Sequence, residues 1–294
     1  MKRVIRVGSR DSKLAVAQTM TVINEIQEKH PDISFDLITM KTTGDKILDR
    51  NLDQIGGKGL FVKELNRALL EAKVDITIHS LKDLPMEISP ELPLLGFSKR
   101  EDPRDVLILP EGKEIPEDGK LSGCIGTSSR RRQLQLERLY PEATFRGIRG
   151  NVQTRLRKLE EEDYAATVLA MAGLKRLGME QLATVIFSPE EVIPAAGQGI
   201  LAVQGRRGED YSYLEGVLDE ESYDMATAER SFVTALDGGC SSPIAAYAVI
   251  EGDMLRLRGL YFDETSGKYT TGEKSGRRKD AKQLGRALAA ELKG

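Results

Sequence analysis

The chain has 294 residues, of which 40% are hydrophobic and 30% charged, and its formal net charge at pH 7 is −3. This composition is typical of a soluble globular protein with room for two or three domains. No apolar run reaches the length of a membrane span, and no signal-peptide core follows the basic N-terminus, so we expect a cytoplasmic protein without a membrane partner. Two cysteines fit a reducing compartment, and a total of two histidines excludes a multi-histidine metal site.

The first hundred residues alternate between strand and helix patterns. The hydrophobic spacing predicts strands over 4–8, 34–40 and 75–79, and helices over 9–28 and 61–72, with a loop over 41–45. Asp11 or Ser12 is the expected cap of the first helix. This order predicts an α/β fold with parallel strands.

A second run of the same elements follows. Its strands are predicted over 105–109, 123–126, 144–148 and 167–170, and its helices over 129–139 and 152–161. Charged and Pro/Gly-rich joints lie at 99–104 and 193–199, and a strand over 200–205 can return to the first sheet. Two such units joined twice predict a cleft between hinged lobes, with ligand at the carboxyl ends of the strands.

The last part of the chain has a different pattern. A helix is predicted over 223–236, then strands over 244–250, 254–261 and 269–273, and a final helix over 280–292. These elements indicate a small α+β domain. The sequence therefore predicts three domains, which are 1–98 with 199–217, 104–193, and 221–294.

One cysteine lies in an unusual turn. Residues 236–243 read Leu-Asp-Gly-Gly-Cys-Ser-Ser-Pro, so two glycines directly precede Cys240. Glycines allow a sharp turn and leave the neighbouring thiol uncovered. Cys240 is then a nucleophile or an attachment point, unless it is a small buried residue at a helix end. Cys124 lies in a predicted strand and is expected to be core.

Basic residues cluster between positions 130 and 158, where nine basic residues stand against two acidic ones. Eight of the nine are arginines, and arginine suits carboxylate and phosphate groups. Two turns, at 8–12 and 126–132, combine small residues, hydroxyl groups and arginine at a predicted helix start. This combination favours the binding of an anion. The alternative is a solvated helix face.

A carboxylate follows the third predicted strand. Asp83 lies just past that strand beside Ser80 and Lys82, where it can take part in proton transfer or simply pair with the lysine. Residues 56–59 read Gly-Gly-Lys-Gly and are a weak anion-binding signal, since the spacing of a nucleotide P-loop is absent. Arg176 either joins the cleft or ends a surface helix.

These features predict a protein that binds a polyanion, with a carboxylate for proton transfer and a cysteine for covalent attachment. Two other functions stay open at this point. A receptor domain without catalysis would explain the cleft and the arginines but not Cys240. A nucleic-acid partner would use the 130–158 segment, but 5% aromatic residues and no tryptophan argue against base stacking.

Several motifs together resemble the porphobilinogen deaminase (hydroxymethylbilane synthase) family, from residue 6 to about residue 247. They are Gly126-Thr127-Ser128-Ser129 with Arg131-Arg132, Arg149-Gly150-Asn151-Val152 with Thr154-Arg155, His79-Ser80-Leu81-Lys82-Asp83, Gly56-Gly57-Lys58-Gly59-Leu60-Phe61, and Gly238-Gly239-Cys240. Gln54 stands where some members carry lysine. Arg130 occupies a position that is often apolar, so it is not counted as a substrate contact.

The resemblance implies two domains like those of periplasmic-type binding proteins and a third small one. It also implies a monomeric transferase that condenses four porphobilinogens head-to-tail, with loss of ammonia, into 1-hydroxymethylbilane. A dipyrromethane cofactor would be joined to Cys240 by a thioether, and Asp83 would be catalytic. The implied cofactor contacts are Ser80, Lys82, Thr127, Ser128, Ser129, Arg131 and Arg132. The implied substrate contacts are Arg10, Ser12, Arg149, Arg155 and Arg176.

Overall fold

The computed structural model describes residues 3–46, 62–239 and 242–294. It divides into two compact units, Met1–Glu101 with Ile200–Asp224, and Asp102–Gly199 with Met225–Gly294. Among the described residues, none of the helices combines the length and the apolar character that a membrane span requires.

The described strands and helices follow the chain in this order. The strands are β1 (Val4–Arg10), β2 (Ser34–Met40), β3 (Ile76–Ser80), β4 (Leu94–Phe97), β5 (Asp105–Ile108), β6 (Gly123–Gly126), β7 (Ala143–Arg146), β8 (Ala166–Ala170), β9 (Val185–Ile186), β10 (Leu201–Gly205), β11 (Ile244–Glu251), β12 (Met254–Asp263) and β13 (Lys268–Arg277). The helices are α1 (Lys13–Lys29), α2 (Thr43–Lys46), α3 (Lys63–Leu70), α4 (Arg130–Leu139), α5 (Val152–Glu161), α6 (Met171–Arg176), α7 (Glu220–Ala235) and α8 (Ala281–Lys293).

The first unit contains a mixed sheet in the order β2-β1-β3-β10-β4. β1 runs parallel to β2 and β3, whereas β10 runs antiparallel to β3 and β4. α1 buries Val22, Ile23 and Ile26 against sheet residues such as Val7 and Ile76. This helical spacing of apolar residues is the pattern that predicted α1 from the sequence.

The second unit contains two sheets. The larger has the order β7-β6-β8-β5-β9, with β6 parallel to β7 and β8, and β5 antiparallel to β8 and β9. Its core includes Leu107, Ile125 and Val168, which α4 covers through Leu136. The smaller, called the third sheet below, is antiparallel in the order β11-β12-β13, and α8 packs on β12 and β13.

The predicted fold class, two α/β sheets and a small α+β part, is confirmed. The expected parallel pairing is confirmed for β1 with β2 and β3, and for β6 with β7 and β8, but it is wrong at β5. No direction was predicted for β10, which is antiparallel to β3 and β4. β10 reaches its sheet after about a hundred intervening residues rather than through one crossover helix, so no crossover imposes a parallel direction. The predicted return of residues 200–205 to the first sheet is confirmed.

Smaller differences concern short elements. The predicted loop over 41–45 contains the single-turn helix α2. β4 and β9 were not predicted, and α6 was expected only as a helix that could end at Arg176. β9 has only two residues, and β4 contains Gly96 in an unusual backbone conformation next to an irregularity in its pairing. Elements this short carry too little periodicity to be predicted from hydrophobic spacing.

Candidate functional site

The carboxyl ends of β1 and β3, called the first edge below, bring several predicted residues together. The two strands are parallel neighbours, with Gly8 opposite Thr77. Arg10 is the last residue of β1 and Ser80 the last residue of β3. The parallel register therefore places them at the same edge of the sheet, as the resemblance implies for a common site.

The hydroxyl groups of this edge hold α1 in place. Ser12 is the N-cap of α1, and its Oγ accepts a hydrogen bond from the Ala15 N–H at 3.2 Å. Ser80 Oγ accepts a hydrogen bond from Gln18 Nε2 at 2.8 Å. The helix start, with its unsatisfied N–H groups, is thus fixed beside Arg10.

Asp83 lies on a short turn that is anchored on both sides. Residues Leu81–Asp83 form a 3-10 turn directly after β3. Leu81 and Leu84 are fully buried, and the Leu81 N–H donates to the Ile200 carbonyl at 3.0 Å. This spacing leaves Lys82 half-buried and Asp83 exposed. The carboxylate is therefore presented to solvent from a rigid base at the first edge.

His79 is a buried, uncharged neighbour of this edge. Its Nε2 lies 2.9 Å from Thr77 Oγ1. Burial, together with the charge of Arg10, lowers the pKa of His79 to about 4, against the opposing effect of a hydrogen bond with Gln204. At neutral pH the cationic character of the first edge therefore comes from arginine and lysine.

The carboxyl ends of β7, β6 and β8, called the second edge below, carry the arginines of the second unit. These three strands are parallel neighbours, so the turns that follow them lie at one edge of the sheet. The turn after β6 holds the predicted hydroxyls, the turn after β7 holds Arg149, and α6 after β8 ends at Arg176.

The turn after β6 is ordered by its own hydroxyls. The Thr127 N–H donates to the Arg146 carbonyl at 2.9 Å, and Thr127 Oγ1 accepts from the Ser129 N–H at 3.2 Å. Ser129 is the N-cap of α4, and Ser128 Oγ donates to the Ile148 carbonyl at 3.0 Å. These bonds fix the turn against its neighbour on β7.

Arg131 and Arg132 meet a buried carboxylate. Asp105 is fully buried, and both guanidinium groups lie 2.7 Å from its oxygens, Arg131 through Nη2 and Arg132 through Nη2. Each also donates to a backbone carbonyl, that of Ile193 at 2.7 Å or Val168 at 2.9 Å. Burial lowers the pKa of Arg131, and Asp105 opposes this shift. One carboxylate thus holds two guanidinium groups.

The other arginines of the second edge differ in their partners. Arg149 is half-buried, and its Nε is buried without a hydrogen-bond partner among the described residues. Arg155 Nε donates to the Gly150 carbonyl at 2.9 Å, and Arg176 Nη2 donates to the Gly199 carbonyl at 2.7 Å. A buried donor without a partner costs free energy unless an acceptor reaches it, so Arg149 fits an anionic ligand.

Glycine is required in the turn after β7. Gly150 has a φ of +113°, and a Cβ there would come within 2.5 Å of Thr154. Asn151 caps α5 by accepting from the Thr154 N–H at 2.9 Å. Gly150 and Asn151 therefore shape the turn that follows Arg149 and begins α5.

Two predictions fall outside the described residues. The described residues include neither Cys240 nor the Gly-Gly-Lys-Gly sequence at 56–59, so the predictions for both stay predictions. Cys124 is half-buried in β6 and packs against the apolar cluster around Leu159, as expected for a core residue. The described residues bring together no cluster of three His, Cys, Asp or Glu side chains suited to a metal ion.

Asp105 and its partner Gln198 were missed by the sequence analysis. Gln198 Nε2 donates to Asp105 Oδ1 at 2.9 Å. The available signal was the carboxylate itself, which opens a strand whose other residues are Val-Leu-Ile. A buried charge in such a strand requires a partner, and the arginines of α4 supply it.

Two family models cover almost the whole chain. The model described as "Porphobilinogen deaminase, dipyromethane cofactor binding domain" matches residues 5–213, and the model described as "Porphobilinogen deaminase, C-terminal domain" matches residues 223–294. The chain belongs to the porphobilinogen deaminase family. It is accordingly a transferase of porphyrin and heme biosynthesis that condenses porphobilinogen into the linear tetrapyrrole, as the motifs predicted.

Two porphobilinogen deaminases from other organisms agree with this membership. The porphobilinogen deaminase of Acetivibrio thermocellus is 56% identical, over 98% of this chain and 97% of that protein. The porphobilinogen deaminase of Roseiflexus castenholzii is 43% identical, over 99% and 96%. Among solved structures, the methionine-binding protein MetQ is similar over 75% of this chain and 92% of its own, with a TM-score of 0.47 and 12% identity.

Proposed function

We propose that the reaction is primed by a dipyrromethane attached to Cys240 through a thioether, and that Asp83 is the catalytic carboxylate. The observation that carries the proposal is the placement of Asp83, exposed on an anchored turn at the first edge, together with Arg10. Four porphobilinogens are joined head-to-tail on this primer, each with loss of ammonia, and the product is 1-hydroxymethylbilane.

The arginines suit the charge of the substrate. Each porphobilinogen carries an acetate and a propionate, so a chain of several rings is a polyanion. The proposed cofactor contacts are Ser80, Lys82, Thr127, Ser128, Ser129, Arg131 and Arg132, and the proposed substrate contacts are Arg10, Ser12, Arg149, Arg155 and Arg176. A hydrogen bond to a charged group contributes about 1.5–3 kcal/mol, so a few such bonds hold a growing chain.

The unpartnered donor on Arg149 supports this assignment. Its buried Nε has no acceptor among the described residues, and a carboxylate oxygen of the substrate would supply one. Arg131 and Arg132 already share Asp105, so each can offer only those N–H groups that the carboxylate and the backbone do not use.

Asp83 is proposed to stabilise a cationic intermediate and to transfer protons. Loss of ammonia from porphobilinogen leaves a cationic azafulvene, which a nearby carboxylate stabilises by accepting hydrogen bonds from pyrrole N–H groups. In its protonated form, the Asp83 carboxyl is proposed to give its proton to the departing amine. The carboxylate that remains is then proposed to accept the proton from the α-carbon that forms the new bond, which restores the acid. Its anchored turn keeps it in position while the chain lengthens.

The attached dipyrromethane supplies the nucleophilic pyrrole carbon from which the chain is extended. Tethering at Cys240 makes each addition local and prevents early loss of the product chain. The surroundings of Gly239, directly before the cysteine, are compatible with a presented thiol, because no side chain of the described residues lies within 4 Å of its Cβ position. The Gly239 N–H donates to Ser242 Oγ at 2.8 Å.

We also propose the division into domains 1–98 with 199–217, 104–193, and 221–294, each of which corresponds to one of the three sheets. The enzyme is proposed to work as a monomer in the cytoplasm, with porphobilinogen as its small-molecule partner and no nucleic-acid partner. Light scattering of the purified protein tests the monomer, which a dimer mass would contradict.

The attachment is tested by intact-protein mass spectrometry. The purified enzyme is expected to carry a covalent excess equal to two linked pyrroles. Cys240→Ser should lose both this excess and the release of ammonia from porphobilinogen, whereas the matched control Cys124→Ser should keep both. A Cys240→Ser protein without the excess but with full turnover would contradict the proposal.

A further inference from the structure

Arg130 is a cation to which the proposed function assigns no contact with substrate or cofactor. It is the first residue of α4, directly after the Ser129 cap, and its guanidinium carbon lies 5.7 Å from the centre of the Phe262 ring. At the other end of α4, the guanidinium carbon of Arg138 lies 4.7 Å from the centre of the Tyr269 ring. At these distances a cation is attracted to an aromatic face.

The two rings lie on one face of the third sheet. Phe262 of β12 is paired with Tyr269 of β13, and side chains paired across an antiparallel ladder point to the same face. The opposite face is covered by helices, since Gly259 lies directly against Phe232 of α7 and α8 packs on β12 and β13. The third sheet is therefore held between its own helices and α4.

A second set of contacts joins the same face to α4 through the backbone. Ile193 packs against Leu260, and its carbonyl accepts a hydrogen bond from Arg131 Nη1 at 2.7 Å. The Ala246 N–H donates to the Pro194 carbonyl at 3.1 Å. The third sheet is thus tied to α4 both by the arginine stacks and through Ile193.

The third sheet also leads to the cysteine segment. The Gly239 N–H donates to Ser242 Oγ at 2.8 Å, and β11 begins two residues after that serine. β11 is paired with β12, the strand that carries Phe262. A continuous set of contacts therefore runs from Arg130, beside the hydroxyl turn, to the residues that flank Cys240.

We propose that Arg130 is a positioning residue for the condensation. Through its contact with Phe262, it fixes the third sheet, and with it the described residues that flank Cys240, relative to the turn at residues 127–129. This proposal rests on the attachment to Cys240 proposed above. Arg138 makes the same kind of contact about 12 Å further along the helix, so it strengthens docking without setting the position of the turn.

The test compares holoenzyme variants by kcat and KM for porphobilinogen, with kcat expressed per covalently loaded molecule as counted by intact mass. Arg130→Ala and Phe262→Leu should each lower kcat about three- to ten-fold while changing KM by less than about two-fold. The kcat of the double variant should be no lower than that of the less active single variant, because both substitutions remove the same contact. Arg130→Lys and Phe262→Tyr should recover much of the loss, and the control Arg138→Ala should keep wild-type kcat.

Four results would overturn the proposal. If Arg130→Ala raises KM while Phe262→Leu keeps a normal kcat, Arg130 binds substrate directly. An equal loss of kcat in Arg138→Ala would mean that general docking, rather than the position next to the turn, matters. Loaded variants with unchanged kcat would remove the role of Arg130 alone, whereas a wild-type enzyme without covalent excess would remove the attachment and this role together.

Discussion

The two edges that carry the site residues differ in how they treat negative charge. The first edge presents Asp83 to solvent on a turn held by Leu81 and Leu84. The second edge buries its carboxylate, Asp105, between Arg131 and Arg132. Residues of the same chemical type thus serve opposite purposes, one available for reaction and one consumed in holding cations. Burial and partners, rather than residue type, separate the two roles.

The largest expected effect is the loss of activity in Asp83→Asn. Removal of a catalytic acid or base lowers rates by about 10²–10⁴-fold, so ammonia release should fall at least about 100-fold. Since Asp83 is exposed, the melting temperature should stay close to that of the wild type. The control is Glu87→Gln, another exposed carboxylate in the same segment. Near-normal turnover in Asp83→Asn would erase the contrast between the edges.

The next effect is a loss of stability in Asp105→Asn. Breaking a buried ion pair by removing one partner costs about 3–5 kcal/mol, because the remaining charges stay buried without compensation. Urea unfolding followed by circular dichroism measures this loss. Glu161→Gln, which removes an exposed ion pair with Arg157, should cost at most about 0.5 kcal/mol. A loss below about 1 kcal/mol in Asp105→Asn would mean that the buried pair adds little to stability.

The smallest effect is a pH dependence of stability that comes from His79. Its pKa in the folded protein, about 4, lies below the usual value of 6.5, so the unfolded chain binds the proton more readily between these values. The free energy of unfolding should therefore fall by about 3 kcal/mol as the pH is lowered from 6.5 to below 4. Above pH 6.5 the contribution of uncharged His79 to stability is fully present.

The measurement is urea unfolding at several pH values. His79→Gln should flatten the dependence between pH 6.5 and 4, and His30→Gln controls for the loss of one of the two histidines. If stability depends on pH equally steeply in His79→Gln, the acid sensitivity belongs to other groups. His79 would then not be held uncharged beside Arg10.

Much of the fold was predictable because long elements repeat their spacing. α5 and β2 were predicted with the bounds observed, since each carries a sustained apolar pattern. The cap of α1 at Ser12 was one of the two predicted, but the predicted start at residue 9 was wrong, because residues 9 and 10 end β1. The direction of β10 was not predictable, because it depends on which edges of β3 and β4 remain open, and local sequence does not encode that.

The site was predictable to a different extent. Motif spacing indicated the residues that gather at each edge, such as Arg10 with Ser80, because parallel strands bring their ends together. The partners of those residues were hidden. That Arg131 and Arg132 are buried on Asp105 depends on a contact 27 positions away in sequence, and the stack of Arg130 on Phe262 spans more than a hundred positions.

The insertion of β10 between β3 and β4 affects how the chain is made. Until residue 205 has left the ribosome, β3 and β4 each expose an unpaired edge in the first unit. In a nascent chain that stops before that point, β3 and β4 each lack the partner strand β10, so their edges are open to pairing with other chains. Chaperone capture during synthesis, and inclusion bodies from fragments that end before residue 201, are therefore expected for this topology.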